Sequence, residues 1–329
     1  MIEMMKILIF IIQFNFITFL NLYAQDYRNY YILADSAKTL FYNKEYEKAD
    51  SIYSFCFSKF RPFENECNYA LINSIKLNKN IDYYIRESFK CGSFKKDLEA
   101  LLKRNNYAPD KKVLKALYKQ GHKEYKKYHV RKYKRQIRRL LLRDQFARIF
   151  KKNFQKADSI NYIRLKSILQ KDINAFNREK TGLVYGELLE VLIFHQGWHF
   201  WQNDFNKLRR LVLSGALSRD VLFQIIERES VWGGKQFTLL NDSLIELSTK
   251  ENETNLCNGY YYSCLGGRAF YFSKLQKQVV VPVFPMITEV DLDKLRCFVF
   301  QQPYENFKKN STYLEFVNKD EFCNLFKKK

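Results

Sequence analysis

Apolar residues recur every three or four positions through most of the first 230 residues and lose that period beyond Asn241, which predicts a run of helices followed by a shorter mixed segment. Between Asp26 and Phe60 the period appears in two runs joined by a polar turn at Asn43 to Glu45. The first carries Ala34, Ala37 and Leu40, the second Tyr46, Ala49, Tyr53 and Cys56. Small residues alternating with large ones let two helices approach closely. A second pair is predicted from Glu64 to Gly92, where Tyr69, Ala70, Ile81, Tyr84, Ile85, Phe89 and Cys91 recur at helical spacing and Gly92 stops the helix.

Further helices are expected at Val130 to Ile149 (Tyr133, Ile137, Leu140, Leu141), Ser159 to Ile173 (Ile160, Ile163, Ile168), Gly186 to Trp201 (Leu188, Val191, Leu192, Trp198), Phe205 to Leu213 and Arg219 to Ser230 (Val221, Leu222, Ile225, Ile226). Gly215 and Gly233-Gly234 punctuate them. A polar stretch at Ser248 to Asn255, aromatics at Tyr260 to Tyr262 and Phe270 to Phe272, and the run Val279 to Val283 then predict a few strands.

The amino-terminal residues break this pattern. Lys6 precedes an apolar stretch from Ile7 to Leu22, and Ala24-Gln25 follows, the layout of a secretory leader. Gln13, Asn15 and Asn21 interrupt the stretch, which is shorter than the roughly 18 to 20 residues of a spanning helix. With no cysteine beside Ala24, a lipid-modified terminus is not expected. The mature chain is expected to be periplasmic or secreted.

Charge adds a second feature. The formal net charge is +21, and from Lys111 to Lys152 there are 17 lysines or arginines against Glu124 and Asp144, a net +15. With Tyr118, Tyr125, Tyr128 and Tyr133 interleaved, this segment is either a solvated helix face or a binder of anionic membrane surfaces or acidic polysaccharide. Nucleic acid is not an expected partner of an exported protein. Hydrophobic content of 47% with 17% aromatics indicates a folded chain. Seven cysteines, Cys56, Cys67, Cys91, Cys257, Cys264, Cys297 and Cys323, follow the leader. Cys257 and Cys264 are the expected disulfide on proximity, and buried thiols are expected for the rest.

Two resemblances attach to these residues. Tyr46, Ala49, Tyr53 and Cys56, with Pro62 closing the unit, resemble the second helix of a tetratricopeptide repeat, and residues 26–92 resemble two such units. That likeness implies a surface that holds a protein or peptide partner. Arg143-Asp144-Gln145, Asn161, Arg164-Leu165, Gly186, His195, Gly215, Glu227-Arg228 and Gly234-Lys235-Gln236 resemble a bacterial domain family of unknown function, over about 140–307. Val281-Pro282 and Leu292 to Arg296 would answer to its closing segment. Glu227 stands where that family has aspartate, and Phe237-Thr238-Leu239 replaces its Tyr-Gly-Thr turn. The likeness implies candidate residues but no reaction.

Asp144 and His195 each continue the apolar face of a helix, so periodicity turns both inward. A buried carboxylate is costly unless paired. The expected cluster joins Arg143, Asp144, Gln145, Arg164, His195, Glu227, Arg228 and Gln236, with Asp144, His195 and Arg228 as candidates for a hydrolase-like site in which His195 is a general base. The alternative is a network that fixes helix packing. His195 and His199 stand at i and i+4, but Gln196 occupies the place of the metalloprotease glutamate, and no metal or other cofactor is expected. No nucleophile elbow or phosphate-binding glycine loop is present in the sequence.

The chain thus reads as mainly α, with repeat-like helical hairpins packed on a helical domain that ends in a short mixed α/β segment. The expected division is a leader over 1–24, hairpins over 25–110, a basic helical connector over 111–139, a helical domain over 140–307 and a basic tail over 308–329. An interaction module is the leading functional expectation; an enzyme and a binder of anionic surfaces are the alternatives.

Overall fold

The computed structural model describes residues 27–150, 153–233 and 235–240, then 243–247, 255–257, 260–261, 269–272, 277–280, 289–299 and 314–316, with a few single positions between and beyond them. The expected leader, Cys264, Gly234, Val281-Pro282, the polar stretch up to 254 and nearly all of the expected basic tail lie outside the described residues.

The first half is a stack of helical hairpins: α1 (Tyr27–Tyr42), α2 (Tyr46–Lys59), α3 (Glu64–Lys76), α4 (Asp82–Cys91), α5 (Lys95–Arg104) and α6 (Lys111–Tyr128). Alanines make the close contacts: Ala34, Ala37, Ala49 and Ala70 are buried beside Tyr30, Tyr53 and Leu71. Each large apolar side chain so buried contributes ~1.5–3 kcal/mol. Gly92 ends α4 in the left-handed region (φ 99°), where a glycine carries no Cβ penalty. Asp110 caps α6, its Oδ1 accepting from the backbone N–H groups of Lys112 at 2.6 Å and Val113 at 3.3 Å. α6 lies so close on α4 that a Cβ at Gly121 would stand 2.7 Å from the Arg86 carbonyl oxygen and 2.7 Å from Phe89 Cβ.

The second half continues with α7 (Arg131–Ile149), α8 (Phe154–Lys171), the single turn α9 (Arg178–Thr181), α10 (Leu183–Trp201), α11 (Phe205–Leu213) and α12 (Arg219–Gly233). One expected stripe is displaced and another shifts in part. On α8 the inward residues are Ala157, Asp158, Asn161, Leu165 and Leu169, whereas Ile163 is 60% exposed. On α10 the expected Leu192 and Trp198 are buried, joined by Leu189, Ile193 and Gln196, and Val191 faces out. On α8 small and polar residues, not the isoleucines, lead the inward face. The connector expected over 111–139 divides: α6 belongs to the hairpin stack, and residue 140 falls inside α7.

Hairpins and later helices meet at a mixed aromatic and charged joint. Tyr31 Oη donates to the carbonyls of Val212 at 3.4 Å and Leu217 at 3.3 Å. Arg219 forms a two-pronged ion pair with Asp35 and lies 5.1 Å from the Tyr31 ring centroid. The Arg178 guanidinium sits 4.1 Å over the Phe63 ring. Beyond α12 the chain forms small sheets: an antiparallel pair β1 (Gln236–Leu240) and β2 (Ser243–Leu247), a second antiparallel pair β3 (Asn255–Cys257) and β4 (Tyr260–Tyr261), and a three-stranded sheet. In the last, β5 (Ala269–Phe272) pairs antiparallel with β6 (Lys277–Val280), which pairs parallel with β7 (Leu314–Phe316). Helix α13 (Glu289–Phe298) lies between β6 and β7 in the chain. The protein is mainly α, with this mixed segment at its end.

The α4–α6 contact yields a test. Gly121→Ala must push the two helices apart and costs about 1–3 kcal/mol, read as a lower urea midpoint with an unchanged slope.

Candidate functional site

Asp144 lies on the inner face of α7 with Ile137, Leu140 and Ala147, and is 1% exposed. A carboxylate there is stable only with several donors. It has three. Oδ1 accepts from Arg148 Nε at 3.0 Å, one turn further along α7. Oδ2 accepts from Gln145 Nε2 at 2.9 Å and contacts His195 Nδ1 on α10 at 2.9 Å. Arg148 also reaches α8, donating through Nη2 to both oxygens of Asp158 at 2.9 and 3.0 Å. One carboxylate thus links three helices.

Burial pushes the Asp144 carboxyl up, but the hydrogen bond and charge of His195, with Arg148, outweigh it and hold the group below the ordinary aspartate value. At Asp158 burial wins over Arg148, and the Asp144 charge adds to it, so that carboxyl is raised. With Asp144 ionised, the proton on His195 belongs on Nδ1, which leaves Nε2 as the basic edge of a side chain that is 23% exposed. The geometry is that of an oriented imidazole.

The other expected members go elsewhere. Arg143 donates to Asn161 Oδ1 at 3.1 Å, and Asn161 Nδ2 in turn donates to the Leu140 carbonyl at 3.1 Å, joining α7 to α8. Arg164, expected beside Asp144, is exposed, because the inner face of α8 runs through Asn161 and Leu165. Arg228 serves a break in α10. Gly197 has φ 65° and ψ −169°, and Arg228 Nη1 donates at 2.5 Å to the carbonyl of Phe194, with its guanidinium 4.8 Å from the Phe194 ring centroid. A Cβ at position 197 would fall 1.6 Å from Arg228 Nη2. Glu227 is buried and accepts from the Leu265 N–H at 2.6 Å, while Arg296 Nη1 donates to the Leu265 carbonyl at 2.5 Å, so the backbone of one residue is held on both sides. Gln236 Nε2 donates to Ser230 Oγ at 3.3 Å. His199 is exposed, beside Phe200.

Sequence reasoning missed Arg148 and Asp158, although Asp144 and Arg148 form a legible i,i+4 pair. It also missed a second cluster at the joint. Glu187 on α10 is hydrogen-bonded to Glu64 on α3; burial, then Glu64, push its carboxyl up to about 8. Beside it, Glu190 accepts from Arg178 Nη2 at 2.5 Å, from the Ser218 N–H at 2.6 Å and from Ser218 Oγ at 2.9 Å. The Glu187 and Glu64 carboxyls meet where the hairpins pack on α10.

Asp144→Ala strands an imidazole and frees one arm of Arg148, and costs about 3 kcal/mol in chemical denaturation, whereas His195→Gln, which keeps a donor, costs under about 1.5 kcal/mol. The Glu187 carboxyl is raised from the ordinary 4.5 to about 8, so the folded state holds its proton more tightly than the unfolded state does. Its contribution is complete below pH 4.5 and lost as pH rises towards 8. A urea midpoint that falls over this range in the parent protein and stays flatter in Glu187→Gln is the expected result.

Neither a protein-family model, nor a curated protein, nor a solved structure matches this chain, so its chemistry has to be read from its own residues.

Proposed function

We propose that this chain is an exported helical interaction protein that docks on anionic bilayer surfaces through the outer face of α7. One observation carries the reading. With Ile137, Leu140, Asp144 and Ala147 turned inward, the opposite face presents Leu142, Phe146, Ile149 and Phe150, at i, i+4, i+7 and i+8, which are 59%, 54%, 70% and 58% exposed. The Phe146 and Phe150 rings are 4.4 Å apart, and Phe154, at the start of α8, is also exposed.

Towards the amino end of α7 the same face carries Arg131, Lys132, Arg135, Arg138 and Arg139, all exposed. The outer face therefore changes from cationic to apolar at Leu142. Apolar side chains that enter the acyl boundary gain up to ~1.5–3 kcal/mol each, and each cation beside an anionic leaflet adds about 1 kcal/mol. Either alone gives weak binding; together they give a stable peripheral attachment. Among the described residues no helix is long and apolar enough to cross a membrane. By analogy with tetratricopeptide repeats, the stacked hairpins would then hold a protein or peptide partner beside that surface.

Co-sedimentation with vesicles of phosphatidylcholine and phosphatidylglycerol is the test. Binding is expected at low ionic strength, weakening steeply with salt, and Phe146→Ser/Ile149→Ser should lose about tenfold in affinity with unchanged helical circular dichroism. Equal binding to pure phosphatidylcholine, no binding at low salt, or an unaffected double variant would overturn the reading; in the last case an acidic polymer becomes the better ligand.

A further inference from the structure

Cys67 and Cys91 stand apart from the other described cysteines. Cys67 is on α3, Cys91 is the last residue of α4, and both thiols are sealed from solvent, at 1% and 4% exposure. They are hydrogen-bonded to each other, and Ser88 on α4 also bonds Cys67. The helices carrying them are consecutive in the chain and packed together, so the contact persists as long as the hairpin does. We infer that Cys67 and Cys91 are the site of a disulfide that locks the second helical hairpin when the chain folds in an oxidising compartment.

In the closed hairpin the Cys67 hydrogen bond holds the Cys91 thiol below the ordinary range against the effect of burial, with the Arg61 charge assisting, while Cys67 itself is raised. Either thiol can lead while the hairpin closes; in one order Cys91 is the attacking thiolate. It attacks a sulfur of a low-molecular-weight disulfide such as oxidised glutathione, expelling one thiolate and leaving a mixed disulfide on Cys91. Cys67 gives up its proton and attacks the Cys91 sulfur, which forms the Cys67–Cys91 bond and expels the second thiolate. The protein loses two electrons and two protons, and the small disulfide gains both. Both thiols are buried in the finished fold, so the exchange takes place while the hairpin is still closing.

The bond closes a loop of about 25 residues, which restricts the unfolded chain more than the folded one. A cytosolic chain would keep both thiols reduced, so the inference rests on the exported reading for its compartment. The chemistry can be tested wherever the cell places the protein. The full chain is refolded in a glutathione redox buffer, then unfolded in iodoacetamide without reductant, digested with trypsin and mapped by mass spectrometry. Cys56, Cys67 and Cys91 fall on separate peptides, 49–59, 60–76 and 91–95, because lysine or arginine separates them.

The expected result is a cross-linked pair of the 60–76 and 91–95 peptides, neither alkylated, and a Tm about 5 °C lower in reductant. Cys67→Ala/Cys91→Ala should show a smaller reductant-dependent change in Tm than the parent chain. Quantitative alkylation of both residues, or a link from either to Cys56, would overturn the inference. So would a double variant whose Tm falls in reductant as far as that of the parent chain. If the double variant does not fold, the peptide map of the parent chain decides by itself.

Discussion

The desolvated carboxylate of Asp144 sets the geometry on which the second half of the molecule depends. A buried negative charge must collect donors, and it takes them from two helices at once, Gln145 and Arg148 on α7 and His195 on α10. Arg148 then extends the chain of charge to Asp158 on α8. This arrangement fixes the rotation of α7 about its own axis. Once Asp144 points inward, residues half a turn away have no choice but to point outward, and they are the arginines and the apolar stripe from Leu142 to Phe150. The polar interior and the sticky exterior of α7 are two sides of one constraint.

Much of the fold was legible because turns and periodicity were local signals. The polar turn at Asn43 to Glu45 separates α1 from α2, Gly92 ends α4, and the apolar period of Val221, Leu222, Ile225 and Ile226 marks a wholly buried face of α12. The inward placement of Asp144 was legible for the same reason. What escaped was the choice between two competing faces of one helix. On α8 the isoleucines suggest one stripe, yet Ala157 and Asn161 permit the closer approach to α7, and Arg164 is carried to the surface as a result. On α10 the expected Trp198 is buried, but the break at Gly197 also brings Trp201 inward, which the period did not single out. The pairing of Glu187 with Glu64 has no local signal at all, since it depends on how the hairpins meet α10.

The joint between hairpins and later helices differs in kind from the cores on either side. Alanines, tyrosines and leucines pack the hairpins, whereas the joint holds Asp35, Glu64, Arg178, Glu187, Glu190 and Arg219 among aromatic rings. Buried charged contacts of this sort add little net stability, but they penalise any docking that leaves one of them without its counterpart. Orientation at the joint is therefore specified more strictly than its strength.

Gly197 and Arg228 carry a consequence for how this sequence can change over time. The guanidinium occupies the space a side chain at 197 would need, and it also satisfies the Phe194 carbonyl beside the break. Neither position can be altered alone without either a steric overlap or an exposed polar group in the interior. The two residues constrain one another in sequence space, so the bend should persist through extensive drift elsewhere.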